Sequence, residues 1–113
     1  MAKVEITKSL FEEIESKFKQ ESITIFNLLQ ELEEHPYKGK LLGTVGGIVI
    51  KEIKYKSFRF YFITDGFKLK CMSEQYLIDL LLRFVRMSDK KHQQATINEI
   101  KHILRSIGPQ GFM

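Results

Sequence analysis

The sequence predicts an α+β domain with two helices first, an antiparallel meander in the middle and helices again at the C-terminus. Three observations carry this. Apolar residues recur at helical spacing over residues 8–34, the texture turns β-branched and aromatic from Ile48, and helical spacing returns after Ser73. The chain has 113 residues, the size of one domain with one core, so we read residues 1–113 as a single domain. Hydrophobic content of 43% and charged content of 28% are those of an ordinary globular protein.

Taken in order, Val4-Glu5-Ile6-Thr7 alternates apolar and polar residues and predicts a short first strand. Leu10, Phe11, Ile14 and Phe18 lie among charged residues and predict an amphipathic helix over roughly 8–20, with Thr7 as its cap. Ile25, Phe26, Leu28, Leu29 and Leu32 predict a second helix. It ends before His35-Pro36, because the residue preceding a proline is pushed out of the helical region. Residues 37–47 hold four glycines and read as a loop, or as a loop leading into a strand edge. Residues 48–55 and 58–64 read as strands joined by a turn near Lys56-Ser57. Asp65-Gly66 is a hairpin turn signal and predicts a third strand over 67–72. Gln75, Asp79, Arg83 and Arg86 are spaced by four, four and three, with Leu77, Leu80, Leu81 and Phe84 opposite, which predicts a helix over 74–87. Ile97, Ile100, Ile103, Leu104 and Ile107 define a last helix, closed by Gly108-Pro109.

Composition narrows the function. No apolar run approaches the ~20 residues that span a bilayer, and the opening residues turn acidic without an apolar signal core, so we expect a cytoplasmic protein with no membrane partner. Cys71 is the one cysteine, so no internal disulfide forms, and a small buried hydrophobe is the expected role. No ligand spacing for a metal appears, nor a glycine loop followed by a helix, so neither a metal nor a small-molecule cofactor is expected. The net charge of +4 is unevenly spread: residues 1–36 hold four Lys and eight Glu, whereas residues 37–113 hold fourteen Lys/Arg and six Asp/Glu. A balance of that kind predicts one acidic region and one basic surface, and basic surfaces attract phosphate; solvation of outer faces is the alternative.

Several motifs then follow in a recognisable order. Gly39-Lys40-Leu41-Leu42-Gly43 resembles the G-x-L-x-G entry to the sheet in the RelE/ParE toxin superfamily. Glu52-Ile53-Lys54 with Phe58-Arg59-Phe60-Tyr61 resembles its central hairpin, especially in the HigB-like and RelE-like branch. The segment 84–90 resembles the basic segment of that branch, and 95–107 the helix that follows. The resemblance spans roughly residues 4–107; each motif is a few common residues, and order and spacing make the set specific. It implies two N-terminal helices packed on a curved antiparallel β-sheet. It also implies a toxin-like component of a type II toxin-antitoxin system: a ribosome-dependent messenger-RNA endonuclease held inactive by a cognate antitoxin protein. The ParE branch shares the fold but acts on DNA gyrase, so a gyrase-directed inhibitor or an inactive RNA- or protein-binding module is the alternative. The sequence departs from the resemblance twice. The predicted helix interrupts the path to the basic segment, and the C-terminal Gly111-Phe112-Met113 offers no Tyr or His to move a proton.

Metal-independent RNA cleavage uses the ribose 2′-hydroxyl as nucleophile, so it needs a base, an acid, and cations on the developing phosphorane. The resemblance puts Arg59, Lys54, Glu52 and Tyr61 forward as catalytic candidates. Lys51, Lys54, Lys56, Arg59, Arg86, Lys90 and Lys91 are the candidate RNA-contacting cations. Strand parity sets Arg59 and Tyr61 on one face and Phe58, Phe60 and Phe62 on the other, which predicts that the phenylalanines fill the core while Arg59 and Tyr61 meet solvent or a groove. Glu52, Lys54 and Lys56 share a face by the same rule. For Glu52 the alternative is a plain strand ion pair, for Tyr61 a packing role, and for His92 and His102 solvated helix positions. Convergence of Glu52, Lys54, Arg59, Arg86 and Lys90 on one groove would favour nucleic-acid chemistry, and dispersal would favour solvated faces.

Overall fold

The computed structural model describes residues 2–71, 77 and 79–112. The chain runs β1 (Lys3–Ile6), α1 (Lys8–Phe18), α2 (Ser22–Gln30), β2 (Lys40–Val45), β3 (Ile48–Tyr55), β4 (Phe58–Asp65), α3 (Gly66–Cys71), β5 (Leu81–Asp89) and α4 (Gln93–Ser106). Short 3-10 turns follow α1, α2 and α4. The class is α+β with a five-stranded sheet in the order β1-β5-β4-β3-β2. The sheet is mixed rather than antiparallel: β2, β3, β4 and β5 alternate in direction, and β1 lies parallel to β5. A parallel neighbour requires a crossover, and here the chain from α1 to the start of β5 supplies it.

Two segments differ from the sequence reading. The predicted helix over 74–87 gives way to β5, in which Leu82, Phe84, Val85, Met87 and Ser88 are buried. Flanked on both sides and covered on both faces, this strand is apolar in both parities, so its composition imitates a helix. Residues 73–76 and 78, part of that reading, lie outside the described residues. The expected strand over 67–72 is the helix α3 as far as Cys71, with Met72 undescribed. Asp65 opens that helix rather than a hairpin, its Oδ1 accepting hydrogen bonds from the backbone N–H groups of Phe67 and Lys68 at 3.0 and 3.1 Å. Cys71, expected to be buried, is exposed at the end of α3. Of the expected C-terminal helices, the described residues contain α4 and a 3-10 turn over Pro109–Gly111.

The remaining elements follow the sequence closely. Thr7 occupies the position before α1 but its side chain makes no capping bond. The segment 37–47, expected to be a loop or a loop leading into a strand edge, contains the whole strand β2, and Gly46 and Gly47, at φ of +55° and +83°, the left-handed values of a tight hairpin turn, join it to β3. Lys56 and Ser57 turn β3 into β4, with Lys56 at φ 54°. Gly108, at φ 108°, ends α4, and its N–H with that of Ile107 returns to the Ile103 carbonyl.

Each face of the sheet has its own core. On one face Ile53, Phe60, Phe62, Phe84 and Met87 share a buried cluster with Leu10, Ile14, Ile25 and Leu29. Phe62 and Phe84 meet at 4.9 Å between centroids, and Phe18 meets Phe58 edge-on at 5.1 Å. On the other, Ile50, Tyr61, Ile63 and Val85 cluster with Ile97, Ile100 and Leu104 of α4 and with Phe112. Truncating one of the fully buried phenylalanines would cost about 3–5 kcal/mol. Arg83 fastens the C-terminal turn by donating to the Pro109 and Phe112 carbonyls at 3.0 Å each. Register shifts at Leu41/Gly43 and Tyr61/Phe62 mark two bulges, each of which bends its strand.

Candidate nucleic-acid interface

The hairpin β3–β4 sets the site. Glu52 lies opposite Tyr61 and Lys54 opposite Arg59, so all four side chains share the face that α4 covers. Coverage is unequal along the strands. Tyr61 lies under α4, fully buried, and its hydroxyl shares a 2.7 Å hydrogen bond with Ser88 Oγ. Burial pushes the Tyr61 hydroxyl pKa up, against the opposing pull of the Ser88 hydrogen bond. The expectation that Tyr61 meets solvent or a groove is therefore overturned: parity was right, but α4 closes that part of the face.

Beyond the first residue of α4 the face opens into a groove of about 520 Å³. Arg59 and Glu52 form its floor, with side chains 10% and 6% exposed and Arg59 Nε 3.6 Å from Glu52 Oε2. Arg59 Nη1 also donates to the Ser57 carbonyl at 3.3 Å. Gln93 Nε2 holds the other carboxylate oxygen of Glu52 at 3.0 Å. Lys54 lines the groove, and Lys38 and Lys40 approach from the segment entering β2. Gly39, between those lysines, has φ +107°, and a Cβ there would sit 3.1 Å from the Phe62 ring and 3.2 Å from the Glu52 carbonyl. A side chain at this position would strain the backbone and push it off the sheet.

A second concavity of about 510 Å³ adjoins the first, with Lys40 and Gln93 lining both. Lys90, Lys91 and Lys101 surround it. Lys101 reaches it from α4 by laying its stem over Gly43, where an added Cβ would be 3.1 Å from Lys101 Cε. Among the described residues Lys40, Lys54, Lys90, Lys91 and Lys101 have no carboxylate at ion-pair distance, whereas Lys38 is 3.7 Å from Glu31. Among the described residues Glu52 is the one acidic residue lining either concavity, and it is already matched by Arg59.

The candidates named from the sequence thus divide. Glu52, Lys54 and Arg59 line one concavity and Lys90 and Lys91 the adjoining one, so the expected convergence on one groove is met only in part. Lys51 joins neither: it points to the opposite face, 7% exposed, and its Nζ donates to the Tyr37 carbonyl at 2.9 Å, while burial lowers its pKa. Lys56 turns away to Glu21, which also accepts from the Tyr55 hydroxyl. Arg86 binds Glu99 on α4 and lies 5.2 Å from the Phe112 ring centroid. Lys38, Lys40, Gln93 and Lys101 were missed. The lysines of 38–40 flank a glycine in what read as a loop, and Lys101 joins them only through the packing of α4 on β2, which no local pattern reveals.

Other concavities have a different character. One of about 370 Å³ is lined by Ile48, Ile63 and Leu80, with Asp65 and Asp79 balancing Lys68 and Arg83, so it has no net positive charge to draw a polyanion. One of about 220 Å³ holds His92, whose ring meets Asp89 at 2.8 Å. Asp89 also accepts the His92 backbone N–H at 2.9 Å, and the His92 bonds hold its carboxyl below its ordinary pKa. His92 stands just before α4 and is exposed, in keeping with a solvated position. No group of three His, Cys, Asp or Glu side chains gathers as for a metal ion among the described residues. No helix there is long and apolar enough to cross a membrane. Compared with profiles of protein families, with curated proteins and with solved structures, the chain matches none.

Proposed function

We propose that this chain is a toxin-like, RNA-directed protein of the RelE/ParE kind that works on ribosome-bound messenger RNA in the cytoplasm and is restrained by an antitoxin. The observation that carries the reading is the paired groove. Lysines without a carboxylate partner among the described residues line both concavities, Lys40 and Lys54 beside the floor arginine and Lys90, Lys91 and Lys101 in the adjoining one, an arrangement suited to backbone phosphates. The shared cluster of α1 and α2 residues with the central strands accords with the two-helix layer that the resemblance implies.

On this reading a strand lies along the groove with one phosphate between Lys54 and Arg59. The 2′-hydroxyl gives up its proton and attacks the adjacent phosphorus, the 5′-oxygen leaves and takes a proton from water, and a 2′,3′-cyclic phosphate forms. Arg59 is the group suited to the phosphorane, since its planar fork stays charged and meets two oxygens at once. Glu52, beside Arg59 on the groove floor, is the carboxylate we assign to take the proton from the 2′-hydroxyl.

A second reading, RNA binding without turnover, is favoured by a specific observation: Tyr61 is buried on Ser88, and Glu52 is held by both Arg59 and Gln93. Induced expression separates the two. Growth arrest with cleavage of messenger RNA on translating ribosomes, lost in Lys54→Ala, supports the endonuclease. Salt-sensitive RNA binding with neither arrest nor cleavage supports the binding module. Absence of both arrest and RNA affinity would sink the proposal.

A further inference from the structure

The least expected feature of the groove is that its best phosphate ligand is already occupied. Arg59 is one of the most buried cations of the chain, yet it faces Glu52 rather than open solvent. The separation of 3.6 Å is an ion-pair contact rather than a tight hydrogen bond. Glu52 in turn does not depend on Arg59 alone, because Gln93 donates to it from the first turn of α4 at 3.0 Å. The carboxylate is thus fixed beside a guanidinium to which it is loosely bound. The lysines around it carry no such partner among the described residues.

We infer that Glu52 is a built-in competitor for Arg59, positioned by Gln93, which makes the groove select extended polyanions over single phosphates. The inference rests on the phosphate-binding reading of the groove and adds a selectivity to it. A tethered carboxylate meets Arg59 at a high effective concentration, of order millimolar or above. A free monophosphate must outcompete it unaided. A strand whose neighbouring phosphates are held by Lys40, Lys54 and Lys90 is bound whether or not Glu52 yields, so the competitor costs it at most the worth of the Arg59 contact. Displaced from Arg59, Glu52 keeps its bond to Gln93 and is not stranded as a buried charge without a partner. Gln93 is therefore a positioning residue: it sets where the competitor stands before the exchange and receives it afterwards.

The test uses the intact chain and two probes, inorganic pyrophosphate and a short unstructured oligoribonucleotide. Binding is read by calorimetry and by the NMR signal of the Arg59 Nε–H group. Glu52→Gln keeps the shape and the Gln93 contact while removing the charge. It should tighten pyrophosphate binding by ~10-fold, the worth of one charge-assisted contact, and tighten the oligonucleotide less, since the lysines hold the strand whether or not Arg59 is free. The double variant Arg59→Ala/Glu52→Gln, which strands no buried charge, should bind pyrophosphate no more tightly than a remote Glu34→Gln control. No tightening of pyrophosphate, or an equal gain with and without Arg59, overturns the inference. Tightening of pyrophosphate with no oligonucleotide affinity in any variant leaves the competitor standing and overturns the RNA reading instead.

Discussion

Removing Arg59 should destabilise the protein enough to confound any reading of function. The guanidinium sits 3.6 Å from Glu52, with the two side chains 10% and 6% exposed. At an effective dielectric constant near 20 the attraction at that distance is about 4–5 kcal/mol before desolvation is counted. Arg59→Ala removes it and leaves Glu52 charged, buried and supported by Gln93 alone. Breaking a buried pair from one side costs about 3–5 kcal/mol, and because the groove admits water the lower end applies, about 3 kcal/mol. With a urea slope of ~1.5 kcal/mol/M for a chain of this size, the unfolding midpoint should fall by about 2 M. Glu52→Gln combined with Arg59→Ala removes the stranded charge and should recover about half of the loss. Urea unfolding followed by circular dichroism measures all three variants. An unchanged midpoint in Arg59→Ala, or a double variant no more stable than the single, would refute the reasoning. The result also governs functional work: loss of toxicity in Arg59→Ala alone is uninformative, and the double variant is the proper arginine-less form.

Two further outcomes are expected. Tyr61→Phe removes the hydroxyl that meets Ser88 at 2.7 Å and should cost about 1 kcal/mol in chemical unfolding; RNA affinity should not change, and a large loss of affinity would return Tyr61 to the site. Lys51, its pKa lowered by burial, binds fewer protons folded than unfolded between its folded pKa and the ordinary lysine value near 10.4. Stability should therefore rise with pH through that window. Lys51→Met should abolish the rise while leaving RNA affinity unchanged, and a rise that survives the substitution would assign it elsewhere.

Much of the fold was legible because local chemistry and tertiary context agree. Leu10 and Ile14, Ile25 and Leu29, and the alternating Phe58, Phe60 and Phe62 keep the period of the element they form. Where they disagree, the sequence misleads. Leu82, Phe84, Val85 and Met87 are all buried, on a strand covered on both faces and bulged at the Val85–Arg86 register. Such a strand has no alternation to read. Asp65-Gly66 carried a true signal for a chain reversal, but the signal does not distinguish a hairpin from a helix start. At the site, Glu52, Lys54 and Arg59 were legible because one hairpin fixes their relation. Tyr61 shares their parity and not their environment, since only the path of α4 decides which part of the face stays open. Lys38, Lys40 and Lys101 join through β2–α4 packing, a long-range contact with no local mark.

The central claim, that the paired groove holds an RNA backbone, is tested most directly by the salt dependence of oligoribonucleotide affinity in the wild type, Lys54→Glu/Lys90→Glu and the distant control Lys3→Glu/Lys70→Glu. The account predicts a logarithmic affinity that falls linearly with the logarithm of salt, by ~0.7 per phosphate engaged. It predicts that the groove pair weakens binding and flattens this slope, while the control pair, equal in charge, changes neither appreciably. Equal losses in both pairs, or an affinity indifferent to salt, would contradict it.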